Sequence, residues 1–271
     1  MDADFDFHDA LALLDWQVEL GADEAIGDEP LNRYEAAVAE PAAPAPAPVR
    51  QAEERATIQR IEKAEDDWLT SHAVPAAEQM AAAARDLAGL RDAMAAYEFC
   101  ELKKGARNLV FADGHPAARL MIVGEAPGRD EDVEGFPFVG RAGQLLDKML
   151  AAIGLSRKAE DAAGAVYIAN VIPWRPPQNR DPSPEEIAMM LPFLKRHVEM
   201  VNPDVIVPMG NIACQALLGQ RGILRLRGTW VEALGRPALP MTHPAYLLRT
   251  PAAKREAWAD LLEIQARLKG K

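Results

Sequence analysis

RLMIVGEAPG, residues 119–128, is the stretch on which the fold turns. Its first five residues make an apolar run of strand length, and a glycine-rich turn follows at once. Three more short apolar runs recur downstream: Val166–Ala169 (VYIA), Val205–Met209 (VIVPM) and Ala238–Met241 (ALPM). Between the runs lie segments of helical character, notably 141–153, 184–200 and 211–219. Strands that alternate with helices imply a parallel sheet covered on both faces. The expected fold class is therefore α/β, three layers (α/β/α) around a four-stranded, mainly parallel central sheet. Pro208 brings no N–H to a ladder, so the third strand is expected to fray or lie at an edge there.

Each run ends in a polar or glycine-rich signal. The first leads into Gly124-Glu125-Ala126-Pro127-Gly128 and the second into Asn170; the third leads into Gly210-Asn211 and the fourth into Thr242-His243-Pro244. In open α/β sheets ligands bind beyond the carboxyl ends of the strands, so four strands deliver candidate groups to one edge. The segment 124–143, GEAPGRDEDVEGFPFVGRAG, sets four glycines before position 143 and two prolines among acids and two phenylalanines. Glycine lets a backbone approach a ligand closely, and a loop running into a helix near Ala142 can offer N–H groups to a phosphate. It matches neither GxGxxG nor GxxxxGK[ST], which speaks against nucleotide hydrolysis. Phe138 either packs in a core or stacks on a flat base. Asn170 either caps a turn or reads the edge of a pyrimidine with its amide. His243 is either a buried structural histidine or a donor to an anionic leaving group.

The rest of the chain supplies context. Half of its 271 residues are apolar, enough for a real core, and no stretch nears the roughly 20 uncharged apolar residues of a membrane span. The acidic start Met-Asp-Ala-Asp-Phe-Asp is unlike a secretory signal, and Cys100 and Cys214 suggest no disulfide framework. A soluble, cytoplasmic monomer is expected. The net charge of −11 is unevenly spread: residues 1–70 hold 18 acids and 5 bases, and the remainder 23 acids and 25 bases. The mildly basic remainder is compatible with a DNA partner. Residues 1–38 read as an acidic arm whose segment 8–20 (HDALALLDWQVEL) is an amphipathic helix, either folded on its own domain or lying in a partner protein's groove. An Ala/Pro linker follows over 39–50, and 51–95 reads as a helical segment with solvated charged faces, broken near Pro75.

Three blocks then carry a family resemblance. GEAPGRDEDVEGFPFVGRAGQLLDKML, VYIANVIPWRPPQNRDPSPEE and the closing pair LRGTW and THPAYLLR resemble, in order and spacing, the signatures of family-4 uracil-DNA glycosylases. The resemblance runs from about residue 96 to residue 271. It implies the glycosylase fold for 96–271, preceded by a helical or disordered extension, and excision of uracil from DNA to leave an abasic site. It implies further that Glu125, Ala126 and Gly128 line the base pocket, that Phe138 stacks on the extruded uracil, and that Asn170 bonds its Watson–Crick edge. His243 would meet O2 as negative charge grows there. Tyr246, Leu247, Leu248 and Arg249 would form the loop that enters the duplex and contacts phosphates. Other uracil glycosylases hold an aspartate where this sequence has Ala126. The water-positioning role is therefore expected of Glu131, with Glu125 or Asp132 next.

One feature of the family is missing. Its four-iron cluster needs four cysteine thiolates, and the matching positions here are Tyr97, Cys100, Trp174 and Met190. One ligand of four cannot hold a cluster, so neither a cluster nor any other metal is expected, and the bulky replacements are expected to pack together. From a different class comes the alternative of a catalytically weak module that recognises DNA damage with a retained base pocket.

Overall fold

The computed structural model describes residues 68–270. The expected arm, its helix 8–20 and the linker lie outside the described residues, as does the helix expected over 51–70 apart from its last three positions. After a π-helical turn, Leu69–Ala73, come helix α1 (Val74–Ala83), α2 (Leu87–Ala96) and the short α3 (Leu102–Gly105). Strand β1 (Asp113–Gly114) and β2 (Leu120–Gly124) lead to α4 (Arg129–Glu134) and α5 (Arg141–Ala152). Then follow β3 (Val166–Asn170), α6 (Pro184–Val201), β4 (Val205–Pro208), α7 (Asn211–Leu218) and α8 (Ile223–Leu226). The hairpin β5 (Val231–Ala233) and β6 (Arg236–Ala238) precedes α9 (Pro244–Arg249) and α10 (Lys254–Leu268).

The sheet has six strands in the order β1-β3-β2-β4-β6-β5. Its four central strands run parallel, and the two edges pair antiparallel. The expected sheet is thus the centre of a wider one. The added edges are only two and three residues long, too short for a periodic signal. β4 is an interior strand, contrary to the edge expected from Pro208. That proline is the strand's last residue; its carbonyl still accepts from Met241 N–H at 3.0 Å, and pairing resumes at once beyond it, with Met209 N–H donating to Val123 O at 2.9 Å.

Alternation in β2 builds the two faces. Met121 and Val123 point to one core with α1, α2, α6 and α7, and Leu120 and Ile122 to the other with α5, α9 and α10. Both sides being covered, all five residues of the strand are buried, as a central parallel strand requires. α6 starts on a capping box: Ser183 Oγ accepts from Glu186 N–H at 3.2 Å, and Glu186 accepts from Ser183 N–H at 2.8 Å. The helices around 76–98 have solvated faces, but also a buried one: Ala77, Ala81, Leu90 and Met94 join the core built on α6. Pro75 opens α1 rather than breaking it, and the break comes at Asp86, which caps α2 by accepting from Gly89 N–H at 2.7 Å.

Candidate active site

The carboxyl ends of the central strands open onto one cavity of about 660 Å3. β2 brings Glu125 to Gly128 to it, β3 brings Asn170, β4 brings Gly210, and the segment after β6 brings Thr242 and His243. Gly124 is the floor. A Cβ there would stand 2.4 Å from Asn170 Oδ1 and 2.6 Å from the Phe138 ring, so only glycine lets both side chains close over the strand end. Asn170 is buried and lines the cavity, and its amide makes no side-chain hydrogen bond among the described residues. The Phe138 ring stacks on the His243 imidazole, with 5.3 Å between centroids and 28° between planes.

His243 caps α9, and its Nδ1 accepts from Ala245 N–H at 3.2 Å. A neutral ring with Nδ1 as acceptor carries its proton on Nε2, a donor left for the cavity. Burial, helped by the Arg249 guanidinium, pushes the pKa down to about 4, so the ring is neutral at physiological pH.

The three candidate carboxylates part company. Glu131 is occupied by backbone: one oxygen accepts from Val139 N–H at 3.0 Å and Gly140 N–H at 2.9 Å, the other from Gly128 N–H at 3.1 Å. Asp132 is outside the cavity lining, accepting from Arg107 N–H at 2.8 Å and Asn108 N–H at 3.3 Å. Glu125 faces the cavity, and burial, with Asp181 nearby, pushes its pKa up to about 7 against the opposing pull of Arg221. A carboxylate poised near neutrality in a cleft is the usual condition of an acid–base group.

The loop after His243 also divides. Tyr246 and Arg249 line the cavity and Leu248 is exposed, but Leu247 is only 1% exposed and packs in the core against the sheet. Leu247 therefore cannot enter a duplex, a correction to the expected set; consecutive positions of a short helix point to different sides. Thr242, flagged with the strand-end signals, has its hydroxyl buried in the cavity wall without a hydrogen-bond partner among the described residues. Sequence reasoning missed Leu224 of α8, 60% exposed at the mouth, which belongs to no local pattern that could have flagged it.

Tyr97, Cys100, Trp174 and Met190 are all buried in the core built on α6. The Tyr97 ring stands edge-on to Phe193 at 5.4 Å and its hydroxyl donates to Ala73 O at 2.8 Å. Burial pushes the Cys100 thiol up to about 11, so it is protonated. One protonated thiol among a phenol, an indole and a thioether does not fit a four-iron cluster, which is held by thiolates.

The cleft at the strand ends is walled by an aromatic ring, an amide and a neutral histidine, and the sequence that builds it matches a known family. The chain belongs to the uracil DNA glycosylase superfamily, whose family model matches residues 111–262. Within it the chain is 43% identical over 174 residues to a type-4 uracil-DNA glycosylase of Archaeoglobus fulgidus, covering 61% of this chain and 84% of the relative. It is 43% identical over 153 residues to the type-4 uracil-DNA glycosylase of Thermotoga maritima, covering 55% and 77%. A type-5 uracil-DNA glycosylase of Pyrobaculum aerophilum is 32% identical over 162 residues.

Proposed function

We propose that this protein flips uracil out of DNA and hydrolyses its N-glycosidic bond, leaving an abasic site, without a metal. The observation that carries the reading is the neutral His243, whose Nε2–H is free for the cavity beside the stacked Phe138 and the open amide of Asn170. Breaking the bond makes a uracil anion and an oxocarbenium-like sugar. Phe138 stacks on the base, the Asn170 amide bonds its Watson–Crick edge, and His243 donates to O2 as charge grows there. Preorganised donors of this kind are worth about 3–4 kcal/mol each when they meet developing charge in a dry site.

Glu125 is the carboxylate that best suits the water-positioning role, because both oxygens of Glu131 already accept backbone N–H groups and Asp132 lies outside the cavity lining. Its ionised form stabilises the sugar cation and orients water. Ala126 and Gly128 line the pocket wall, Leu248 enters the duplex, and Tyr246 and Arg249 contact the strand beside the flipped nucleotide. Filling the vacated stack offsets an unpairing cost of a few kcal/mol.

The test is single-turnover excision from an oligonucleotide bearing one deoxyuridine, with chelator present, alkaline cleavage to reveal abasic sites, and His243→Ala alongside. Scission that collapses in the variant supports the reading. Tight uracil-dependent binding with no scission from folded protein would instead establish a damage-recognition module.

A further inference from the structure

We propose that Arg157 is a positioning residue: it holds Phe138 in the backbone conformation that sets the stacking wall of the base pocket. The proposal rests on the uracil reading above. Arg157 lies between α5 and β3, outside every motif and outside the cavity lining. Its side chain is nonetheless only 7% exposed, which for a guanidinium demands partners. They are Asp147 on Nε at 2.8 Å, Asp113 on Nη1 at 3.0 Å, and two consecutive carbonyls, Pro137 O on Nη1 at 2.8 Å and Phe138 O on Nη2 at 3.0 Å.

Those carbonyls flank the Cα of the residue that needs holding, Phe138. Phe138 has φ +54°, left-handed backbone that costs a non-glycine residue roughly 1–3 kcal/mol and persists only where surroundings enforce it. Two further features enforce it. Gly143 leaves room for the inturned carbonyl, since a Cβ there would sit 1.6 Å from Phe138 O. On the far side Glu131 takes the Val139 and Gly140 N–H groups. A cation thus holds the carbonyls of 137 and 138, and an anion the amides of 139 and 140. Between them the ring is pinned over Gly124 and against His243.

The arrangement calls for arginine. A planar fork can serve two carbonyls and two carboxylates at once, and a lysine ammonium cannot span them. Asp113 and Asp147 balance the charge, so Arg157 is not a phosphate contact.

The test compares wild type, Arg157→Lys and Asp147→Asn, the last neutralising one partly exposed carboxylate while leaving the guanidinium in place. Single-turnover rates at saturating enzyme are measured on deoxyuridine and on deoxy-5-fluorouridine, whose base is a better leaving group. DNA affinity is measured on the same strands, and base flipping by fluorescence of a neighbouring 2-aminopurine. Arg157→Lys should lose about 10- to 100-fold on deoxyuridine, as expected for sub-ångström to ångström misplacement. Its DNA affinity should stay near wild type, its flipping signal should fall, and its loss on the fluorinated substrate should be smaller, because a better leaving group leans less on the aligned His243. Asp147→Asn should move the same way by less. Equal losses on both substrates would mean only a reduced folded fraction and would overturn the proposal, as would wild-type rates in both variants. If wild type flips uracil but excises neither base, the enzymatic reading fails, and the flipping signal alone decides for or against Arg157. A wild type silent in both readouts overturns both.

Discussion

Replacing Glu131 separates clamp from catalyst. Its carboxylate accepts three backbone N–H groups, from Gly128, Val139 and Gly140, at 2.9–3.1 Å. Taking about 1 kcal/mol net for each bond at this half-buried site, Glu131→Ala should lose about 3 kcal/mol of stability. For a domain of this size that lowers Tm by roughly 6–12 °C. In Glu131→Gln the amide oxygen keeps the Val139 and Gly140 bonds, while its NH2 faces the Gly128 N–H, donor against donor. That exchange should cost about 1–2 kcal/mol. If Glu131 is a clamp, Glu131→Gln excises uracil within about tenfold of wild type, whereas loss of a general base would cost about 100- to 10,000-fold. Thermal unfolding and single-turnover excision on the same preparations check both halves. A Glu131→Gln protein with wild-type Tm and a rate lowered more than 100-fold would refute the clamp and return the water-positioning role to Glu131.

The remaining expectations concern the other groups at the cavity. With Glu125 pushed up to about 7 and His243 down to about 4, the excision rate should rise with pH through about 7 and level above it, and Glu125→Gln should flatten that limb. Stability should move oppositely: the raised pKa means Glu125's contribution is fully present below its unfolded value near 4.5 and is lost as pH passes 7. Glu125→Gln should therefore melt higher than wild type at pH 8, and a lower Tm there would contradict the burial argument. Leu247→Ala should cost about 2–5 kcal/mol of stability as a core truncation. Leu248→Ala should change stability by less than about 0.5 kcal/mol yet slow excision from duplex more than from single-stranded DNA. Deleting residues 1–38 should leave excision from naked oligonucleotides unchanged; a large loss would show that the arm belongs to the catalytic domain rather than to a protein partner.

Several features were legible in residue order alone. The alternation of apolar runs and helical segments is a local property, because side-chain period follows from backbone geometry. It specified the four central strands and the edge at which their turns gather. The helical segment expected over 184–200 is likewise found as α6, Pro184–Val201. Phe138, Asn170 and His243 could be named as candidates because each follows a strand or sits in the glycine-rich loop.

Only tertiary structure decided what depends on distant partners. Glu125, Glu131 and Asp132 are equivalent as letters; Glu125 and Glu131 both line the cavity, and what separates the three is where the N–H groups of 107–108 and 139–140 fall in space. Leu247 and Leu248 are identical residues, and their separation depended on which side of α9 meets the core. Pro208 became an interior residue because β2 and the segment after β6 pair on either side of it. The helices before residue 96 entered the core because α6 offered them a surface. Arg157 acquired its carbonyls from a loop 20 residues earlier, and no local pattern encodes that meeting. Periodicity is written residue by residue, whereas hydrogen-bond partners are chosen by packing, and the chemistry of this cleft lies in the second.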